Sequence, residues 1–259
     1  MLGSYEAFKD SIYDLATIDL SSYKERQMKR RIDSLINRHG IKSYKDYVER
    51  LRTDKLIYNE FINYITINVS EFYRNPDQWK VLEEDAFPFL FSNFGEELKI
   101  WSAACSTGDE PYSIVMLLSK YIPLNKIKII ATDIDRLVIE KAKIGIYDEK
   151  SLKSLPKEYV DKYFTKLDHK TYQIDDKVKA CVEFRHHDLL KDSYPSDCHL
   201  IVCRNVLIYF TDEAKNNIYL GFQNALKKDG ILFVGNTEQM LWASDLGYRI
   251  FKSFFYIKS

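Results

Sequence analysis

Apolar positions along this chain change their period near residue 75. Upstream they recur at helical spacing, most clearly at Met28, Ile32, Leu35 and Ile36, and no strand-like alternation is convincing. This stretch has no proline and only two glycines, Gly3 and Gly40. Gly40 follows Asn37, Arg38 and His39 and reads as the cap closing a helix. A small all-α domain is therefore predicted over residues 1–75. Residues 76–259 read differently, with short β-branched runs alternating with helical segments. Strands are predicted at 98–103, 127–132, 182–185, 199–203 and 230–235, and helices at 109–121, 136–143 and 212–227. That alternation implies an α/β domain built on a mostly parallel sheet covered on both faces. The last apolar run, 254–257, follows without a helix-length crossover, so antiparallel pairing at or near the sheet edge is expected. Between residues 146 and 182 the alternation breaks. An inserted small antiparallel β-subdomain is expected there, over about 148–182, with a hairpin in 171–180 turning at Asp175 and Asp176.

Composition narrows the function classes. Lys plus Arg and Asp plus Glu both number 38, so no global field attracts nucleic acid or a membrane surface. No apolar run is long enough to span a bilayer and the N-terminus lacks a signal-peptide core, which makes the cytoplasm the expected location. The four cysteines form no CxxC pair and read as free thiols. Cys198, His199 and Cys203 have the wrong spacing for zinc and lie in a predicted buried strand, so no metal site is expected. His186 and His187 read as ordinary polar residues at a strand end.

Charge is concentrated locally. Lys24, Arg26, Lys29, Arg30, Arg31 and Arg38 surround one predicted helix, against only Glu25 and Asp33, and Lys24, Arg31 and Arg38 fall seven apart along one edge. Such a face is either simply solvated or a docking surface for an acidic partner; the local excess in a neutral chain favours docking.

The segment WSAACSTGDEPYS, from Trp101 to Ser113, joins a predicted buried strand to a predicted helix through small residues. About 25 residues later, IKIIATDID ends in Asp133 and Asp135, where a carboxylate can grip a ribose after one strand, helix and strand unit. A phosphate-binding loop would be glycine-rich, whereas this one has Gly108 alone, followed by Asp109 and Glu110. Phosphate is disfavoured there, and a cationic nucleoside such as S-adenosylmethionine fits the electrostatics. Three further segments should converge on the same place: NVSEFYRNP from Asn68, HHDLL with Asp188, and CRNVLIYF with Arg204, Asn205 and Tyr209. Taken singly, Tyr209 could cover a sheet end, Arg74 could form a surface ion pair, and Asn68 and Ser70 could cap helices.

Taken in order, NVSEFYR, WSAACSTGDEPYS, ATDID and CRNVLIYF resemble the motif set of the chemotaxis receptor methyltransferases, the CheR family. The basic helical domain and the hairpin insertion are similar too, so the likeness covers nearly the whole chain. The resemblance implies a Rossmann-like S-adenosylmethionine-dependent methyltransferase fold with a mostly parallel seven-stranded sheet. It implies methyl transfer from S-adenosylmethionine to glutamate side chains of methyl-accepting chemotaxis receptors, giving glutamate methyl esters and S-adenosylhomocysteine. The family's cofactor contacts would fall on Asn68, Ser70, Arg74, Glu110, Asp133, Asp188, Leu189, Asn205 and Val206. Arg74 and Tyr209 match the positions nearest methyl transfer, and Lys24, Arg26, Lys29, Arg30, Arg31 and Arg38 match the receptor-facing basic helix. A monomer recruited from the cytoplasm to membrane receptor arrays is implied, with no nucleic-acid partner and no insertion into the bilayer.

Three positions depart from the pattern. Ser70 stands where threonine is common, Asp109 where glutamate is common, and Asp188 where asparagine is frequent, which adds a negative charge near the adenosine. The loop from Lys166 to Thr171 lacks the glycine-containing extension of members that grip a pentapeptide tether, so recognition is expected through the methylated helices themselves. A nucleic-acid methyltransferase and a non-catalytic cofactor-binding scaffold are the rival readings. The first would carry an NPPY-like segment after the fourth strand, where this chain has CRNVLIY.

Overall fold

The computed structural model describes residues 2–259, which form two compact units. One runs to Asn68 and takes in Ile208–Asn216; the other comprises Val69–Leu207 and Asn217–Ser259.

The first unit is helical, as its apolar spacing requires: α1 (Tyr5–Ala16), α2 (Glu25–Arg38), α3 (Tyr44–Thr53) and α4 (Lys55–Thr66). Side chains cap three of the four N-termini. Ser4 accepts from the Ala7 amide, Ser43 from that of Asp46, and Asp54 from those of Leu56 and Ile57. The stripe Met28, Ile32, Leu35 and Ile36 is buried, and the aromatic rings of Phe8, Tyr47 and Phe61 fill the centre. Gly40 adopts a left-handed φ of 67° just past α2. Its amide donates to Asn37 and that of Ile41 donates to Ile36, at 3.0 and 3.3 Å, which satisfies the last carbonyls of the helix. The later segment Ile208–Asn216 is tied in by main-chain bonds: Lys24 N–H donates to Tyr209 O at 2.8 Å, and Thr211 N–H to Ser22 O at 2.9 Å.

The second unit starts with α5 (Pro76–Val81), a π turn (Leu82–Ala86) and α6 (Phe87–Phe94). The wider turn precedes Pro88, whose ring would clash with the carbonyl four residues back in a regular helix. There follow β1 (Ile100–Ala103), α7 (Asp109–Leu118), β2 (Ile129–Asp133), α8 (Arg136–Ile144), β3 (Ile146–Asp148), α9 (Lys157–Tyr163), β4 (Phe164–Lys166), β5 (Thr171–Ile174), α10 (Asp176–Lys179) and β6 (Val182–His186). The chain ends with β7 (Cys198–Cys203), α11 (Asp212–Ala225), β8 (Leu226–Val234), β9 (Tyr248–Lys252) and β10 (Phe255–Lys258). Seven strands make one sheet in the order β6-β2-β1-β7-β8-β10-β9, with β6, β2, β1, β7 and β8 parallel. The Rossmann-like methyltransferase fold expected from the sequence is thus the fold observed. β1 and β7 are buried along their whole length, as a sheet covered on both faces demands.

Two details differ from expectation. Asp175 and Asp176 do not turn a hairpin: Asp175 accepts from the Lys177 amide and starts α10. The hairpin lies one step earlier, between β4 and β5, where Asp168 accepts from the amides of Lys170 and Thr171. An aspartate pair offers an N-cap as readily as a turn, and the following lysines suit a helix. The final strand, β10, pairs antiparallel near the sheet edge as expected, but the edge itself is taken by β9, a strand absent from the sequence reading.

Replacing Gly40 by alanine should lower stability by about 1 kcal/mol, since a Cβ must enter a left-handed backbone with no gain in contacts. Urea denaturation measures this, and an unchanged midpoint would show that the cap does not hold the end of α2.

Candidate active site

Parallel neighbours place the C-terminal ends of β6, β2, β1 and β7 along one sheet edge, and between β1 and β7 the chain order reverses, which opens a crevice for a ligand. The loop after β1 lies there. It is tightly wound, with left-handed φ at Ala104 (62°), Ser106 (48°) and Gly108 (89°). A side chain on Gly108 would stand 2.9 Å from Ala142 Cβ and 3.2 Å from the Tyr147 hydroxyl. That hydroxyl donates to Thr107 O at 2.7 Å, so the inserted subdomain holds the loop. The loop amides that a phosphate site would present are engaged within the protein. Cys105 N–H donates to Thr132 O, Ser106 N–H to Asp133 Oδ2 and Gly108 N–H to Cys105 O.

Acidic groups line the same place. Asp133, at the end of β2, accepts from Ser106 N–H at 2.8 Å and Asp135 N–H at 2.9 Å. Burial nevertheless pushes its carboxyl up to about 6, against the lowering by those amides. Glu110, in the first turn of α7, accepts from Ser102 Oγ at 2.8 Å and lies 3.7 Å from an Arg204 nitrogen. Burial again dominates, raising it to about 7 despite the guanidinium. Asp109 is buried, accepts from Thr107 Oγ1 and has Ser70 as a neighbouring hydroxyl; burial raises its carboxyl too.

Arg74 is presented by strained backbone. Its neighbours Tyr73 and Asn75 both have left-handed φ, 52° and 60°. The strain is held in place because Tyr73 stacks on Trp79 at 4.9 Å, its amide donates to Ser113 Oγ, and Trp79 Nε1 donates to Arg74 O. The Arg74 guanidinium donates to Val69 O at 3.0 Å.

After β7, Arg204 turns inward, donating to Arg74 O at 2.7 Å and Gln78 Oε1 at 2.6 Å. Asn205 takes a left-handed φ of 60°, and its buried Oδ1 has no hydrogen-bond partner among the described residues. Val206 follows, half-buried. Asp188, beyond β6, accepts from Leu190 N–H, and Leu189 O accepts from the Tyr194 hydroxyl. The sheet unit therefore brings together at one edge Ser70, Arg74, Glu110, Asp133, Asp188, Leu189, Asn205 and Val206. Asn68 and Tyr209 belong to the helical unit. There the side-chain Nδ2 of Asn68 donates to Thr66 Oγ1, and Tyr209 lines a hollow of about 280 Å³ with Lys24, Met28, Arg30, Arg31 and Ile67.

The basic helix is less uniform than its sequence. Lys29 pairs with Asp33 at 2.6 Å and Arg38 with Glu60 at 3.5 Å, while Arg31 stacks over Tyr64 at 4.6 Å and donates to its carbonyl. Arg26 and Arg30 are exposed and form no ion pair among the described residues. Sequence reasoning did not find Glu238, whose buried carboxylate accepts from the amides of Asn205, Leu207 and Gly235. Nor did it assign a role to Arg204. No motif marks Glu238, since a lone acid after a strand resembles any surface turn, whereas Arg204 stands inside CRNVLIYF.

These residues suit S-adenosylmethionine. Ser106 Oγ, Asp109 Oδ1 and Asn205 Oδ1 are buried polar atoms with no hydrogen-bond partner among the described residues, in an acidic surround whose loop amides are engaged. A ligand bearing ribose hydroxyls, amino groups and positive charge supplies what such atoms lack, and a phosphate does not.

Comparison with known proteins agrees. Residues 68–253 match the CheR methyltransferase, SAM binding domain, and residues 3–66 the CheR methyltransferase, all-alpha domain. The chain is 41% identical to a chemotaxis protein methyltransferase of Listeria monocytogenes, over 93% of this chain and 92% of that one. A chemotaxis protein methyltransferase of Listeria innocua is 42% identical with the same coverage, and one of Borreliella burgdorferi 34% identical over 92% of this chain and 88% of its own. With both domains matched in order and the acceptor-lined crevice in place, the chain belongs to the CheR family of S-adenosylmethionine-dependent methyltransferases.

Proposed function

We propose that the protein methylates glutamate side chains on the cytoplasmic helices of methyl-accepting chemotaxis receptors. The observation that carries the donor side is the cluster of acceptors at the crevice: buried Asp109 and Asp133, the buried Asn205 Oδ1 and half-buried Glu110. The names of the relatives support the receptor side. When bound, S-adenosylmethionine supplies an activated methyl group on a positively charged sulfur.

On this reading Asp133 holds the ribose, Glu110 and Asp109 balance positive charge, and Asn205, Val206, Asp188 and Leu189 flank the adenosine. Asn68 and Ser70 complete the cofactor contacts. A glutamate side chain, with an ordinary pKa of about 4.3, is already an anion at neutral pH, so no residue has to remove a proton. Alignment and exclusion of water are what remain. Arg74 can grip a carboxylate through two parallel N–H donors, and Tyr209 orients the reacting groups. On the helical unit, the hollow lined by Lys24, Arg30, Arg31 and Tyr209 offers cations beside apolar Met28 and Ile67, which suits an amphipathic helix rich in acids. Arg26, Lys29 and Arg38 extend that positive surface.

With labelled donor and receptor membranes, alkali should release volatile methanol, and Arg74→Ala should cut this by about 100-fold or more. Unchanged release from the variant would remove Arg74 from the site.

The raised carboxyl of Glu110 fixes the sign of a pH effect. The folded protein holds a proton that the unfolded chain has lost above its ordinary value, so stability falls as pH rises from there through about 7. A bound cation favours the ionised form. The rise in melting temperature on adding S-adenosylmethionine should therefore be larger at pH 8 than at pH 6, and Glu110→Gln should flatten that difference. A difference unaffected by the substitution would assign the effect to another group.

Arg30→Glu tests docking better than a change at Arg31, which also holds α4 through Tyr64. It should weaken receptor binding about tenfold and leave cofactor affinity as it was. Equal loss of both would count against a separate docking surface.

A further inference from the structure

Glu238 is one of the buried acids of this protein, and it has no ion-pair partner among the described residues. Its carboxylate is used up by main chain. Oε2 accepts from Asn205 N–H at 2.6 Å and from Gly235 N–H at 2.8 Å, and Oε1 accepts from Leu207 N–H at 2.7 Å. The Val206 amide also faces it. A single carboxylate thus gathers the amides of three successive residues after β7 and ties them to the end of β8. The residue itself is anchored, because Tyr219 donates to its main-chain oxygen at 3.2 Å.

Burying an uncompensated carboxylate is expensive, and backbone amides offset the cost only while they converge on it. The loop they belong to is equally dependent on the carboxylate. Asn205 sits in a left-handed conformation, φ 60°, which asparagine tolerates better than other side-chain-bearing residues, and its buried Oδ1 has no partner among the described residues. Gly235 leaves the space for the clasp: a Cβ there would lie 2.5 Å from Glu238 Oε2 and 2.8 Å from Asn205 N.

We propose that Glu238 is a positioning residue for cofactor recognition, setting the Asn205–Leu207 loop so that the Asn205 amide oxygen meets an N–H donor of the cofactor. The inference rests on the reading of Asn205 as a cofactor contact. Glu238 touches neither cofactor nor substrate.

The test is a double-mutant cycle on the full chain, with S-adenosylhomocysteine affinity read by calorimetry. Glu238→Gln keeps the shape but turns an N–H₂ toward a backbone N–H, and should weaken binding about tenfold. Asn205→Gly, which accepts the left-handed backbone, should do the same. Together they should cost little more than either alone, because both remove one aimed acceptor. Wild-type affinity in Glu238→Gln beside weakened binding in Asn205→Gly overturns the proposal alone. Wild-type affinity in Asn205→Gly removes the cofactor contact and the proposal with it. Additive losses assign Glu238 a general structural role and overturn it as well. Should Glu238→Gln fail to fold, Gly235→Ala displaces the same carboxylate, and its retention of full affinity would refute the proposal.

Discussion

Taking a carboxylate out of water costs several kcal/mol unless hydrogen bonds replace the lost solvation, and backbone N–H groups at strand ends can do so. This protein uses that exchange repeatedly along one edge of its sheet. Asp133 gathers the amides of Ser106 and Asp135, Asp135 that of Leu137, Asp188 that of Leu190, and Glu238 those of Asn205, Leu207 and Gly235. Each bond fastens a loop that would otherwise have only its ends fixed. Burial still wins at Asp133 and Glu238, whose carboxyls sit above their ordinary range although amides surround them. The loops are therefore well held, but by charges that remain costly.

That cost has a direction. Among the described residues the buried acids are Asp109, Asp133, Asp135, Asp188 and Glu238, and the one buried lysine or arginine is Arg204. Arg204 is partly committed to Glu110 and otherwise to Gln78 and the Arg74 carbonyl, with its guanidinium over Phe233 and Trp79. The edge is left with a surplus of negative charge in a low-dielectric setting. A cationic ligand relieves it and an anionic one aggravates it. The carboxylates that shape the loops in this way also set a field that favours a cationic nucleoside over a phosphate-bearing one at a crevice with one glycine in its first loop.

Much of this was readable from residue order. The strand-helix alternation gave the parallel core, the helical stripe ending at Gly40 gave α2, and four motifs in sequence pointed to the family. What escaped was structure whose determinants are distant in the chain. β9 carries Ile250 exposed and no strong alternation, and it becomes a strand only because β10 offers an edge. The Asp175–Asp176 pair satisfies turn and helix-cap rules alike, and only tertiary placement decides between them. Glu238 lies 33 residues from the Asn205 amide that it holds, and no local pattern announces such a partner. The basic helix shows the reverse error of scale: its six cations look equivalent in sequence, yet Lys29, Arg31 and Arg38 are already engaged by neighbouring side chains.

The backbone around Arg74 extends the argument from charge to geometry. Two left-handed departures, at Tyr73 and Asn75 on either side of Arg74, are together unfavourable, the one at Tyr73 above all, and persist only where their surroundings over-determine them. Here the over-determination comes from the sheet unit: the Tyr73 ring on Trp79, the Ser113 hydroxyl on the Tyr73 amide, and Arg204 with Trp79 on the Arg74 carbonyl. Ser113 and Glu110 stand on the same helix, α7, and Arg204 faces both Glu110 and Arg74. Arg74 is thereby referenced to the element that carries the acidic crevice, so the group proposed to hold a carboxylate and the groups proposed to hold the methyl donor share one rigid frame. For a reaction that needs no proton transfer, such a frame is the chief thing a protein can contribute.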